Sequence, residues 1–439
     1  MQFKLPQFDV PYLKILRDRI AENFKTPKHY QTLGLWASAI IAGLVAVGFA
    51  ELFLFAEKIF RDIIQYNAFL PFFLTPILFV ISWYLVKSFA PEASGSGIPQ
   101  IMAANELEYN DENKSRVDRL LSLRTAGIKI ISSLLCVIGG GAIGREGPTL
   151  QISTSVFHFF GSKVRRFIPT NESTWIIAGA AAGLAAAFNT PLGGIVYAIE
   201  ELGTVHFHKI RTPLISAVIV AGLVAQACLG SYLYLGLPEL VAAGIGFMPI
   251  AILNGALTGF CGASFGKLLL YLVDKRRAIK SWKTLTVVTA LSGLIVAAFT
   301  FVDVRAAGSG THLMTDFLFK HETSDLGLIA VRYVGTMAAY LSGCAGGIFS
   351  PSLAIGATIG SYLSIFVGSD HANLMVLLGM IGFLTGVTRT PFTSFILVLE
   401  MTDRHAAVFP MMLAALAAQS AALLIEPHSF YENMKHKYL

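Results

Sequence analysis

Two carboxylates stand where carboxylates are expensive. Glu146 sits in Gly144-Arg145-Glu146-Gly147-Pro148, and Glu201 follows Glu200 at the end of an apolar run over 191–202. An ionisable residue in apolar surroundings costs free energy and usually has a function. The glycines beside Glu146 let backbone approach a ligand, and the proline fits the first turn of a helix. The carboxylate then falls at a helix N-terminus, where free amides and the dipole attract anions. Ionised, it can occupy an anion site itself. Protonated, it leaves the site and carries a proton. One residue can therefore couple anion movement to proton movement. A local Arg145–Glu146 charge pair in a loop is the plainer alternative. Glu200 and Glu201 point about 100° apart on a helix, so one can face inward and the other solvent. Periodicity does not choose between them.

Two further stretches share the plan. Gly95-Ser96-Gly97-Ile98-Pro99 places a hydroxyl donor beside the free amides of a helix start, and Gly346-Gly347-Ile348-Phe349-Ser350-Pro351 offers backbone amides alone. Amides and hydroxyls hold an anion weakly enough to release it, which suits turnover better than a lysine or arginine. Taken singly, each stretch fits a plain helix break about as well. Other patterns carry less. Gly139-x-Gly141-x-x-Gly144 lacks a βαβ setting and an acid about twenty residues on. Gly262-x-x-x-Gly266-Lys267 fits a small-xxx-small helix contact. His206-x-His208 lies in a basic loop, and Cys136, Cys228, Cys261 and Cys344 show no metal spacing and fit packing positions. No cofactor, metal centre or enzymatic constellation is indicated.

The elements that must position these residues are apolar. Of 439 residues, 54% are hydrophobic and 14% charged, against about 25% charged in an ordinary soluble domain; the mean hydropathy is +0.64. The runs 33–57, 70–90, 211–235, 284–302 and 405–425 approach or reach the ~20 residues that a membrane crossing needs. Between them lie shorter runs broken by Gly and Pro (126–143, 148–161, 174–188, 191–202, 351–368 and 391–401). Broken helices survive in a membrane only where they line a cavity or are buried in protein, so the pattern predicts an all-α polytopic transporter or channel. The net charge of +6 sits in loops and reads as a positive-inside bias, with both termini cytoplasmic, rather than as a nucleic-acid surface.

The motifs also duplicate. Thr190-Pro191 precedes Glu200 as Thr390-Pro391 precedes Glu400, 144–150 matches 347–353, and Gly95-Ser96-Gly97 matches Gly308-Ser309-Gly310, all in the same order. The expected organisation is an amphipathic cytoplasmic helix over 1–32, a first membrane half over 33–235, a second over 247–426 and a short cytoplasmic tail over 427–439. The polar stretch 105–119 is a loop within the first half.

Together, GSGIP, GREGP and GGIFSP resemble the CLC family of chloride channels and chloride/proton antiporters over nearly the whole chain. The resemblance implies two inverted-topology halves of tilted, partly discontinuous helices, assembled as a homodimer with a pore in each subunit. It implies that Ser96, Tyr431 and the amides of Gly147, Ile348 and Phe349 bind chloride. It further implies that Glu146 is the external gating glutamate and that Glu201 is the internal proton-relay glutamate. Lys129 matches a buried family lysine whose role stays open. A serine in GSGIP resembles the chloride type; nitrate-preferring relatives resemble GPGIP. An acid at 201 resembles an antiporter, the alternative being a passive chloride channel of the same fold. Many relatives carry an acid where Gln100-Ile101-Met102 stands. The chain ends soon after Tyr431, so the paired regulatory CBS domains of eukaryotic relatives are not expected, as in bacterial members. The expected partners are chloride, protons and the lipid bilayer, and the expected place is a bacterial inner (plasma) membrane.

Overall fold

In the computed structural model the described residues are 27–107, 112–167, 170–202, 207–230, 233–241 and 243–439, with backbone alone at 27–30 and 207–210. Most of the expected N-terminal helix, His206 and the side chain of His208 lie outside them. The described residues form eighteen α-helices. The first nine are α1 (Pro27–Tyr66), α2 (Pro71–Phe89), α3 (Ile98–Glu106), α4 (Lys114–Leu120), α5 (Leu123–Ile138), α6 (Glu146–Val164), α7 (Glu172–Phe188), α8 (Pro191–Glu200) and α9 (Phe207–Leu229). The rest are α10 (Met248–Ala278), α11 (Trp282–Val302), α12 (Thr311–Phe319), α13 (Leu326–Leu341), α14 (Phe349–Ser364), α15 (Ala372–Thr388), α16 (Pro391–Thr402), α17 (Val408–Leu423) and α18 (Phe430–Lys435).

The duplication is visible in lengths. α3 and α12 each have 9 residues, α5 and α13 each 16, α7 and α15 each 17. Backbone torsions repeat as well. Gly95 and Gly308 both have φ of 66°, and Gly97 and Gly310 have φ of 103° and 88°, a region that costs a side chain about 1–2 kcal/mol. α8 and α16 pack against each other and exchange caps. Glu400 accepts from the amides of Leu192 and Gly193 at 3.1 and 2.8 Å. Glu200 accepts from those of Phe392 and Thr393 at 3.1 and 2.7 Å. Each helix therefore ends where the other begins. The two run antiparallel, and each closes orphan amides that a first turn leaves open.

Eight helical segments among the described residues are long and apolar enough to cross a membrane. Two of them, Ile245–Ala278 and Ser369–Thr388, fall outside the apolar runs seen in the sequence. The first is interrupted by small residues and Lys267. There an ideal Cβ on Gly255 or Gly259 would overlap α17 at Ala414 or Ala418, and one on Gly262 would overlap Phe383 of α15. Glycine thus lowers hydropathy in order to admit close helix packing. The second lies 89% buried within the protein. The run 211–235 also breaks early, since α9 stops at Leu229 and residues 233–241 are irregular. Among the cysteines, Cys136 and Cys344 are buried, but Cys228 is exposed and does not pack within the chain.

α6 and α14 are short helices buried in protein. Glu146–His158 and Phe349–Ser361 are buried without a break. Several of their polar residues are satisfied: Thr154 and Ser155 donate one turn back to Leu150 O and Gln151 O, and Ser153 donates to Gly179 O of α7. The last thirteen residues pack back on this core through α18, which buries Phe430, Tyr431 and Met434.

The reciprocal caps give a direct test. Glu400→Ala strips both acceptors from α8 and should cost roughly 1–2 kcal/mol, read as a lower melting temperature in detergent. Glu400→Gln keeps one acceptor oxygen and should lose less. Equal melting of the two variants would remove the cap as the reason.

Candidate functional site

Three loops meet by backbone pairing. Gly95 N donates to Cys344 O and Gly346 N to Gly95 O, both at 3.0 Å; Gly144 N donates to Gly347 O at 2.7 Å and Gly347 N to Gly144 O at 2.9 Å. The first pair is parallel and the second antiparallel. The segment 344–347 is thereby gripped on both sides, and the N-termini of α3, α6 and α14 open at one place. In α6 the first three residues are Glu146, Gly147 and Pro148; in α14 they are Phe349, Ser350 and Pro351. The first-turn amides of such helices have no partner inside their own helix.

Around this junction the expected residues assemble. Ser96, Ile348, Phe349 and Tyr431 are all buried. The hydroxyls of Ser96 and Tyr431 have no hydrogen-bond partner, and the two side chains are neighbours. Gly147 packs directly on Ser96: an added Cβ would lie 2.9 Å from Ser96 O and closer still to its Oγ. Buried hydroxyls without partners are costly unless something polar meets them. Lys129, fully buried, donates to Gly95 O at 2.8 Å and so holds the Ser96 loop from behind. Its counterpart is Arg332, as far upstream of Gly347 as Lys129 is of Gly144. Arg332 donates to the carbonyls of residues 305–308 behind the Ser309 loop.

Glu146 is fully buried. Its carboxylate faces its own amide and that of Ser350, and it accepts from the Tyr234 hydroxyl at 3.4 Å. A carboxylate at the start of both α6 and α14 occupies the kind of place an inorganic anion would take. Arg145 donates to Ala50 O at 3.0 Å and lies over the Tyr234 ring.

Glu201 lies apart from Glu146. Where the sequence left Glu200 and Glu201 undecided, geometry separates them: Glu200 caps α16, whereas Glu201 keeps a buried oxygen without a partner. Tyr197, one turn earlier, lies within electrostatic reach of both Glu201 and Tyr431. Tyr431 is within electrostatic reach of both Glu201 and Glu146. Tyr197 and Tyr234 escaped sequence reasoning because each is a lone aromatic outside any motif. For Tyr197 the available signal was its place one turn before Glu201; Tyr234 had none.

A model of the family described as voltage gated chloride channel matches residues 78–423. The H(+)/Cl(-) exchange transporter ClcA of Salmonella paratyphi B is 28% identical over 444 residues, covering 95% of this chain and 91% of that protein. The transporter of the same name from Cronobacter sakazakii is 29% identical, covering 83% and 79%. Among solved structures, a slow cyanobacterial Cl-/H+ antiporter superposes with a TM-score of 0.82 at 23% identity, over 93% of this chain and 97% of that one. A CLC-type fluoride/proton antiporter superposes with a TM-score of 0.76 at 20% identity, over 92% and 96%.

The contact between Gly147 and Ser96 predicts a specific coupling. Gly147→Ala forces a methyl onto Ser96 and should destabilise the protein by about 1–3 kcal/mol, the usual cost of overpacking. Adding Ser96→Gly should recover part of the loss, because it deletes the Oγ that the methyl meets. Additive melting shifts for the two changes would show that the residues do not touch as described.

Proposed function

The chain belongs to the voltage-gated chloride channel family, and from that premise we propose that it is a secondary-active antiporter exchanging chloride for protons. The observation that carries the proposal is the placement of Glu146, a buried carboxylate lying against the amides of two helix starts, one from each half. In this reading the amides of Gly147, Ile348 and Phe349 and the hydroxyls of Ser96 and Tyr431 hold chloride. The ionised Glu146 carboxylate competes with chloride for the same donors. Protonation removes its charge, so the carboxyl gives way and the anion takes the place. Deprotonation reverses the exchange. One side chain therefore links the two ions, because carboxylate and chloride cannot both hold the site.

Glu201 is the inner proton station in this reading. It is supported by the unpartnered buried oxygen of Glu201 and by Tyr197, which lies within electrostatic reach of both Glu201 and Tyr431. In this reading the proton passes from Glu201 towards Glu146 past Tyr197 and Tyr431, which lie within electrostatic reach of Glu201. Lys129 acts as a positioning residue for the Ser96 loop, since its ammonium meets a carbonyl rather than the anion. The ClcA relatives are bacterial, which supports a bacterial plasma membrane as its place. A homodimer with one pathway in each subunit is proposed on the family likeness.

Purified protein in chloride-loaded vesicles, diluted into low chloride, tests the reading. Chloride efflux should drive proton uptake against the proton gradient. Glu146→Gln should release chloride with no proton movement. Glu201→Gln should lose proton movement while chloride still flows. Wild-type chloride efflux without proton uptake would make the protein a passive channel, and proton uptake retained in Glu146→Gln would remove that residue from the coupling.

A further inference from the structure

From Glu146 a chain of hydroxyl contacts leads on through Tyr234. Tyr234 Oη donates to Glu146 Oε1 at 3.4 Å. It also lies 2.9 Å from Thr311 Oγ1, and Thr311 Oγ1 lies 3.1 Å from Ser309 Oγ. Each hydroxyl has one proton to donate and lone pairs to accept with. With the Tyr234 proton aimed at Glu146, the consistent pattern is Ser309 donating to Thr311 and Thr311 donating to Tyr234. All three donors then point towards Glu146.

A second buried carboxylate meets Ser309 at its backbone amide. The backbone amide of Ser309 donates to Glu57 Oε1 at 2.7 Å, and Glu57 Oε2 is buried without a partner. Ser309 is the repeat counterpart of Ser96, so a side-chain carboxylate here sits on the loop that in the first half lies at the site. Glu57 also lines a cavity of about 170 Å³ together with Arg61, Arg305, His312 and Asp316, of which His312 is exposed. The other charged groups near it are Arg332, with Asp303 beside it, and Glu146 itself. The cavity lies at the outer face. α11 starts just after Lys275, Arg276, Arg277 and Lys280, which belong to the cytoplasm by their charge, so its far end and the 303–310 loop are external.

We propose that Glu57 is the outer proton station of this protein, exchanging protons with the external solution through its cavity and passing them to Glu146 along Ser309, Thr311 and Tyr234. The proposal rests on the antiport reading above. In the inward step the Glu57 carboxyl gives its proton to the Ser309 oxygen, by a turn of that side chain or through a water in the cavity. Ser309 gives its own proton to Thr311, Thr311 gives its proton to Tyr234, and Tyr234 gives its proton to the Glu146 carboxylate. One proton leaves Glu57 and one arrives at Glu146; each hydroxyl ends neutral and turned about, and the reverse step resets it.

The test is flux in vesicles. Glu57→Gln keeps an acceptor for the Ser309 amide and removes only the titratable proton. Tyr234→Phe keeps the ring packed on Phe188 and removes only the hydroxyl. Each should slow coupled exchange by roughly a hundredfold, the lower end for loss of a placed proton donor, with the proton-to-chloride ratio unchanged. In a Glu146→Gln background, where chloride moves without protons, neither change should alter chloride flux. Wild-type exchange rates in both variants, or an equal loss of chloride flux in the Glu146→Gln background, would overturn the route while leaving antiport standing. A wild-type protein that moves chloride without protons would overturn antiport itself, and the route with it.

Discussion

The structure turns on the pairing of residues 344–347 with Gly95 on one side and Gly144 on the other. These are backbone bonds between nearly bare main chains, and they need glycine because a side chain has no room. A Cβ on Gly346 would overlap Ile143, and one on Gly347 would lie 3.3 Å from Gly144 O. With their loop groups bonded to one another, the chains are fixed relative to each other, and three helix starts are fixed with them. Free amides of separate helices would otherwise point in unrelated directions. Lys129 and Arg332 complete the frame by turning their charges onto loop carbonyls. A buried charge is tolerated when it is hydrogen-bonded in this way.

The two halves share this frame and differ in what they place on it. At the first position of the paired helices stand Glu146 and Phe349, one titratable and one inert. At the Gly-Ser-Gly loops, Ser96 keeps a hydroxyl without a partner, whereas Ser309 has its amide held by Glu57 and its hydroxyl beside Thr311. A perfectly symmetric pair would offer two equivalent anion sites and no reason for a proton to prefer either side. The substitutions break that equivalence. They leave an open hydroxyl at the junction and place buried carboxylates unequally, Glu146 at one helix start and Glu57 on the amide of Ser309.

Much of this was legible in the chain. The glycine and proline spacing marked the three helix starts, and the ordered repeats marked the two halves, because both depend on local backbone chemistry. The apolar runs marked most crossings. α10 was hidden because the glycines that admit its close packing break its apolar run, whereas α15 is apolar but only 17 residues long. Glu200 and Glu201 could not be told apart because what separates them is a contact with α16, nearly two hundred residues away. Tyr197, Tyr234, Thr311 and Glu57 were illegible for the same reason: each acquires meaning only from neighbours that the fold supplies.

The choice of donors follows from what an exchanger must do. A cationic side chain aimed into the site would hold both chloride and the Glu146 carboxylate through charge, and would hold them wherever they were needed to leave. Amides at helix starts attract either one more weakly, each end dipole contributing on the order of half a charge. The hydroxyls add direction without adding charge. In the exchange proposed above, the balance between a tethered carboxylate and a free anion is then close, and a single proton on Glu146 would be enough to tip it. The nearby cations Lys129 and Arg332 can then serve the frame without freezing the exchange, because their ammonium and guanidinium groups face carbonyl oxygens.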